Sequence, residues 1–167
     1  MPNFSQPSHK ITPFLWFDTE AEAAMNFYIS VFKNSRVLST SRYPDAMPGR
    51  GGTLMAANFE LDGQQFTALN AGPDYTFTEA VSFFVSCDSQ DEVDDFWTKL
   101  TADGGEAGQC GWLKDKFGLS WQIVPSAMGD LLGDPDPEKA SRTMTAMMAM
   151  HKLDLPALKR AHDGEPA

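Results

Sequence analysis

The stretch QCGWLKDKFGLSWQIVP, residues 109–125, carries the densest set of reactive and polar side chains in the sequence. A cysteine acts as a nucleophile when a base or a positive charge beside it favours the thiolate. Cys110 has Lys114 and Lys116 a few positions on, but residues 11–125 contain no histidine. Asp115 and Gln122 could orient a polar ligand by hydrogen bonds. Cys110 and Asp115 are the candidate catalytic residues, and each has a plainer reading. Cys110 is also a small packing residue, and Asp115 a turn former ahead of Phe117-Gly118. Trp112 suits either a ligand platform or the core, whereas Trp16 and Trp121 read as core. His151 and His162 stand in the C-terminal part with no reactive partner in view, and His9 stands in the polar lead-in MPNFSQPSHK.

Positioning those side chains falls to a strand, a helix, a Gly-rich turn and two further strands across residues 80–125. The pattern repeats an earlier one. Laid on residues 80–101, residues 11–32 match Phe14 with Phe83, Ala24 with Val93, Phe27 with Phe96, Tyr28 with Trp97 and Val31 with Leu100. The apolar positions recur at i, i+3, i+4 and i+7, one face of a helix. Thr19 with Glu22, and Ser89 with Glu92, have the spacing of a capping box, which satisfies N–H groups at a helix start. Shared periodicity, cap spacing and aromatic pair predict an internal duplication.

Copy one continues through residues 54–61, a turn at Asp62-Gly63 and residues 65–70, with a further strand in residues 35–44. Asp-Gly between alternating apolar runs signals a hairpin. Copy two continues through residues 111–115, a turn at Phe117-Gly118 and residues 119–125. Successive strand residues point to opposite faces. Val81, Phe83 and Val85, with Leu119, Trp121 and Ile123, are therefore expected under the helix. Ser82, Phe84 and Ser86, with Ser120, Gln122 and Val124, form a mixed opposite face. Two such faces brought together predict a partly apolar cleft between the modules for a small molecule. Its candidate lining residues are Phe17, Thr67, Ser82, Phe84, Trp112 and Gln122.

With 167 residues, 42% of them hydrophobic, the chain can bury a real core as a single domain. Its expected parts are module one (11–70), module two (80–125) and a helical extension (126–163). The net charge of −10 argues against nucleic acid or an anionic membrane as partner, since both select basic patches. Two cysteines make no disulfide framework. The N-terminus lacks an apolar signal core, and no stretch approaches the roughly 18–20 apolar residues of a membrane span, so a cytoplasmic protein is expected. Residues 42–53, RYPDAMPGRGGT, read as a loop long enough to cover a cleft, with Arg42, Tyr43 and Arg50 as its candidate contacts. Gly49-Arg50-Gly51-Gly52 lacks the Lys-Ser/Thr ending of a phosphate loop. After the break GDPDP at 133–137, residues 138–151 read as a Met-rich helix and residues 155–162 as another. Met144, Met147, Met148 and Met150 suit packing or a dimer contact.

The segments PFLWFDTEAEAAMNFY, VSFFVSCDSQDEVDDFW, QCGWLKDKFGLSWQIVP and AMMAMHKLDLPAL resemble the PhnB-like family that carries the domain label 3-demethylubiquinone-9 3-methyltransferase. That family is part of the vicinal oxygen chelate superfamily, with glyoxalase I, bleomycin-resistance proteins and extradiol dioxygenases. The resemblance spans residues 11–155. It implies an α+β fold of two tandem βαβββ modules, commonly a homodimer, with a divalent metal held by His, Glu or Gln from the first and last strand of each module. Carried onto this chain, those positions are Pro13 and Thr67, then Ser82 and Gln122. Proline has no side-chain donor, and the other three are neutral, so no cofactor is expected; a divalent metal is the alternative. With those ligands missing, the expected function is metal-free binding of a small, partly apolar molecule in a cleft between the modules, as in the bleomycin-resistance proteins that the chain resembles. The alternatives are an enzyme of the same fold (isomerase, lyase or methyltransferase, dependent on metal or Cys110) and a structural or regulatory dimer.

Overall fold

The computed structural model describes residues 10–165. His9 lies outside them. The chain divides into two compact units, Met1–Thr76 and Phe77–Ala167.

Unit one runs β1 (Phe14–Phe17), α1 (Ala21–Val31), β2 (Arg36–Arg42), β3 (Leu54–Leu61) and β4 (Gln64–Asn70). The sheet order is β1-β4-β3-β2, with β1 parallel to β4 and the other pairs antiparallel. Helix α1 buries Ala21, Ala24, Met25, Tyr28 and Val31. It packs on the sheet face that carries Leu15, Phe17, Phe59, Phe66 and Ala68, all buried. Asp62-Gly63 makes the β3–β4 hairpin turn with both residues at positive φ, 46° and 79°.

Unit two runs β5 (Ser82–Cys87), α2 (Gln90–Thr101), a 3-10 turn (Ala102–Gly104), β6 (Glu106–Ala107), β7 (Trp112–Lys114) and β8 (Ser120–Pro125). Its order, β5-β8-β7-β6, is that of unit one element for element. The short β6 was not legible as a strand in the sequence. Helix α2 buries Val93 and Leu100 over Leu113, Trp121 and Ile123. Three helices follow: α3 (Met128–Leu132), α4 (Pro137–Met148) and α5 (Leu155–Asp163). Leu153 and Leu158 join Val124 and Met128 in a buried cluster, against which Met147 and Met150 pack. Met144 and Met148 are exposed. The extension is therefore built into the core of unit two.

One extra residue separates the two copies. Three residues link β1 to α1, but only two link β5 to α2. Consequently Phe17 is the structural counterpart of Cys87, and not of Ser86 as the alignment pairs it: Phe17 and Cys87 both close their strand on the helix side and are buried. The capping box expected at Thr19 and Glu22 does not form. The N-cap is Glu20, and the first amide of α1, Ala21 N–H, donates to Asn70 Oδ1 at 2.8 Å instead. Glu22 turns to Arg42, 2.7 Å away. In copy two the expected cap is present: Glu92 N–H donates to Ser89 Oγ at 3.2 Å, and Glu92 Oε2 accepts from Asp88 N–H. Val81, expected under the helix, precedes β5 and is 65% exposed.

Candidate functional site

Pairing registers assign the faces. In unit two Phe84 stands opposite Gln122 and Gln122 opposite Trp112; Ser82 stands opposite Ser120 and Ser120 opposite Lys114. The alternate residues Phe83, Trp121 and Leu113 are those under α2. So Ser82, Phe84, Trp112, Lys114, Ser120 and Gln122 share the face turned away from the helix. Gln122 Nε2–H donates to Ser82 Oγ at 2.9 Å. Phe84 is 61% exposed, a large aromatic ring left open on a sheet face. Trp112 and Gln122 are half-buried, whereas Ser120 is buried with no hydrogen-bond partner for its Oγ. Lys114 Nζ pairs with Glu79 Oε1 at 2.5 Å. That hydrogen bond holds the Glu79 carboxyl below its usual range and, with the charges of Glu79 and Glu106, the Lys114 ammonium above its own. Sequence alternation placed Ser120 on this face. Nothing in the sequence marked Glu79, which lies in the irregular segment ahead of β5.

The candidates of unit one divide. Thr67 lies on the face away from α1 and is buried, and its Oγ1–H donates to Asn58 Oδ1 at 2.7 Å. Phe17 lies on the helix side, 3% exposed, and so belongs to the core. The extra residue also moves the position assigned to Pro13. Thr67 N–H donates to Pro13 O, and Phe14 stands opposite Thr67 as Phe84 stands opposite Gln122. The counterpart of Ser82 is therefore Thr12, not Pro13. The predicted cover loop is tied down by its own bonds. Tyr43 N–H donates to Thr53 O and Gly52 N–H to Tyr43 O, while the Tyr43 hydroxyl donates to Asn70 O at 2.5 Å. Arg50 lies over the Tyr43 ring, and Arg42 is held by Glu22.

These residues do not suit a divalent ion. Within unit two the implied ligands are a hydroxyl and an amide already bonded to each other, and within unit one they are two threonine hydroxyls, one of them bonded to Asn58. None brings a charge or an imidazole. Among the described residues no three His, Cys, Asp or Glu side chains are grouped to hold a metal.

The two catalytic candidates are both held by the fold. Asp115 Oδ1 accepts from Phe117 N–H and Leu119 N–H, and Oδ2 accepts from Trp121 Nε1–H at 2.8 Å. The carboxylate thus braces the β7–β8 hairpin. Cys110 takes φ 56° in a turn that the extension clamps: its N–H donates to Met150 O, and Gly111 N–H donates to His151 O. Its Sγ lies 3.6 Å from Met148 Sδ. His151, remote in sequence, therefore sits on the Cys110 turn. Its Nδ1 faces Gly108 O at 2.6 Å and its Nε2 faces the Gln109 side chain at 3.3 Å, so both ring nitrogens are turned to groups other than the thiol. Gln90 completes the clamp, donating to Leu153 O and accepting from Leu155 N–H. Burial, with Glu92 nearby, pushes the Cys87 thiol up to about 12.

The family model described as 3-demethylubiquinone-9 3-methyltransferase matches residues 9–124. A Bacillus cereus structure described as a putative 3-demethylubiquinone-9 3-methyltransferase, PhnB protein, is 40% identical, with a TM-score of 0.65; the match covers 70% of this chain and 99% of that one. The chain belongs to this PhnB-like family of the vicinal oxygen chelate superfamily. Protein PA1353 of Pseudomonas aeruginosa is 19% identical at a TM-score of 0.59, covering 71% of this chain and 98% of that one. The fosfomycin resistance protein FosX of Listeria monocytogenes, solved with Mn(II) and sulfate, is 13% identical at a TM-score of 0.52, covering 77% and 98%. These last two are similar in fold alone. No match is found among curated proteins.

Proposed function

We infer that this chain binds a small, partly apolar molecule on the off-helix face of the unit two sheet, without a resident metal. The observation that carries this reading is the pair Gln122–Ser82. The side chains at the superfamily's ligand positions are neutral and hydrogen-bonded to each other, beside an exposed Phe84 ring. Such a surface suits van der Waals and hydrogen-bond recognition, and it offers nothing that would activate a water or polarise a carbonyl through a metal. The matching strand orders of the two units support an origin by duplication, and exposed Met144 and Met148 are candidate contacts in a homodimer.

The test is elemental mass spectrometry on untagged protein purified without chelator, with sedimentation of the same sample for the dimer. Metal at background is expected. A transition metal at one equivalent per chain would overturn the reading and favour an enzyme. The second reading is the methyltransferase of the family description. It is favoured by family membership, and a methyl donor bound and consumed by the purified chain would establish it.

A further inference from the structure

A second row of side chains crosses the same sheet. Register sets Ser82 opposite Ser120, Ser120 opposite Lys114 and Lys114 opposite Glu106. In the antiparallel pairs Ser120–Lys114 and Lys114–Glu106 the matched residues have Cβ atoms about 4.5–5.5 Å apart. Ser120 is 1% exposed and its Oγ has no partner, an arrangement rare in native proteins. Ser82 Oγ accepts from Gln122, which leaves its own proton to donate. Lys114 and Glu79, although paired, are both substantially exposed, at 37% and 59%. The centre of the row thus consists of two hydroxyls and an ammonium, all able to donate, and the group on the ammonium is a carboxylate of the chain itself. Alongside lie Phe84 and Trp112.

We propose that this face takes a small organic acid, its acidic group on Lys114 and Ser120 and its apolar body over Phe84 and Trp112, with Glu79 acting as a built-in competitor for Lys114. The proposal rests on the binding reading above and names the ligand class. An exposed ion pair is weak, so an acid that adds apolar contact displaces Glu79. Turned inward over its matched neighbour Ser120, the Lys114 ammonium carries the acidic group with it, and an oxygen of that group is the acceptor that the Ser120 hydroxyl lacks. Carboxylates and phosphates share this chemistry.

The experiment is a titration of the isotope-labelled full chain, followed by amide NMR, with benzoate, phenyl phosphate and neutral benzamide. It is run on the native protein, Glu79→Gln and Lys114→Met. One acid is expected to bind at least about fivefold tighter than benzamide and to shift amides of residues 112–122. Glu79→Gln should tighten the acid about three- to tenfold and leave benzamide unchanged. Lys114→Met should reduce the acid to the benzamide level. Which acid binds tighter separates a carboxylate from a phosphate ligand. Equal binding of acids and benzamide by the native protein overturns the acid preference but leaves the binding face standing. Absence of any shift in unit two with all three probes overturns both. The native protein alone decides this comparison, should either variant fold poorly.

Discussion

Replacing Asp115 by alanine tests the hairpin that carries the proposed site. Asp115 is 3% exposed and Trp121 2%, and the Leu119 and Trp121 N–H groups that Asp115 accepts are buried. Alanine leaves those two donors without that acceptor, at about 1–3 kcal/mol each. Removing a buried carboxylate recovers its desolvation cost, which offsets part of the loss. The net destabilisation expected is about 2–4 kcal/mol, a large fraction of the roughly 5–15 kcal/mol typical of a domain. For a chain of this size that lowers the melting temperature by about 4–16 °C. Urea and thermal unfolding followed by far-UV circular dichroism measure it. Trp121→Phe should cost about 1–3 kcal/mol less in the Asp115→Ala background than in the native one, because the hydrogen bond is lost only once. A loss below about 1 kcal/mol, or additive single and double variants, would refute the brace. Acid binding should weaken in the same variant, since Trp112, Lys114, Ser120 and Gln122 all stand on this hairpin.

Two further outcomes follow from backbone and thiol geometry. Cys87 keeps its proton in the fold to about 12, whereas an unfolded cysteine releases it near 8.5. Its contribution is therefore fully present below pH ~8.5 and is lost as pH rises toward 12, by up to about 1.4 kcal/mol per unit. Unfolding at pH 8 and pH 10 should show this slope in the native protein and lose it in Cys87→Ala; an aromatic disulfide reagent at pH 8 should modify Cys110 and spare Cys87. Gly111→Ala should destabilise unit two by about 2–4 kcal/mol, since φ is 84° and a Cβ would lie 2.8 Å from Ile123 O and 3.0 Å from Leu153 Cδ1. Denaturation melts check it, and an unchanged midpoint would show that the clamp on the Cys110 turn is loose.

Much of this molecule was legible from local pattern. The β3–β4 hairpin announced itself through alternation around Asp62-Gly63, and the cap of α2 through Ser89 and Glu92. Spacing of these kinds is written directly into the chain, because strands repeat every two residues and helices every 3.6. The same logic failed at the β1–α1 link. One inserted residue leaves the helix pattern intact but reverses which strand residues face it. Hence Phe17 belongs to the core, Thr12 replaces Pro13, and the cap comes from Asn70, far along the chain.

What the sequence determined by itself was the family, the two modules and the neutral character of the ligand positions, since these depend on residue identity and short-range period. What the tertiary structure alone decided was partnership. Asp115 became a brace, His151 came to rest on the Cys110 turn, and Lys114 found Glu79 while Ser120 was left without an acceptor. Which donor meets which acceptor depends on strand register and on segments brought together from distant parts of the chain, and no local period encodes that.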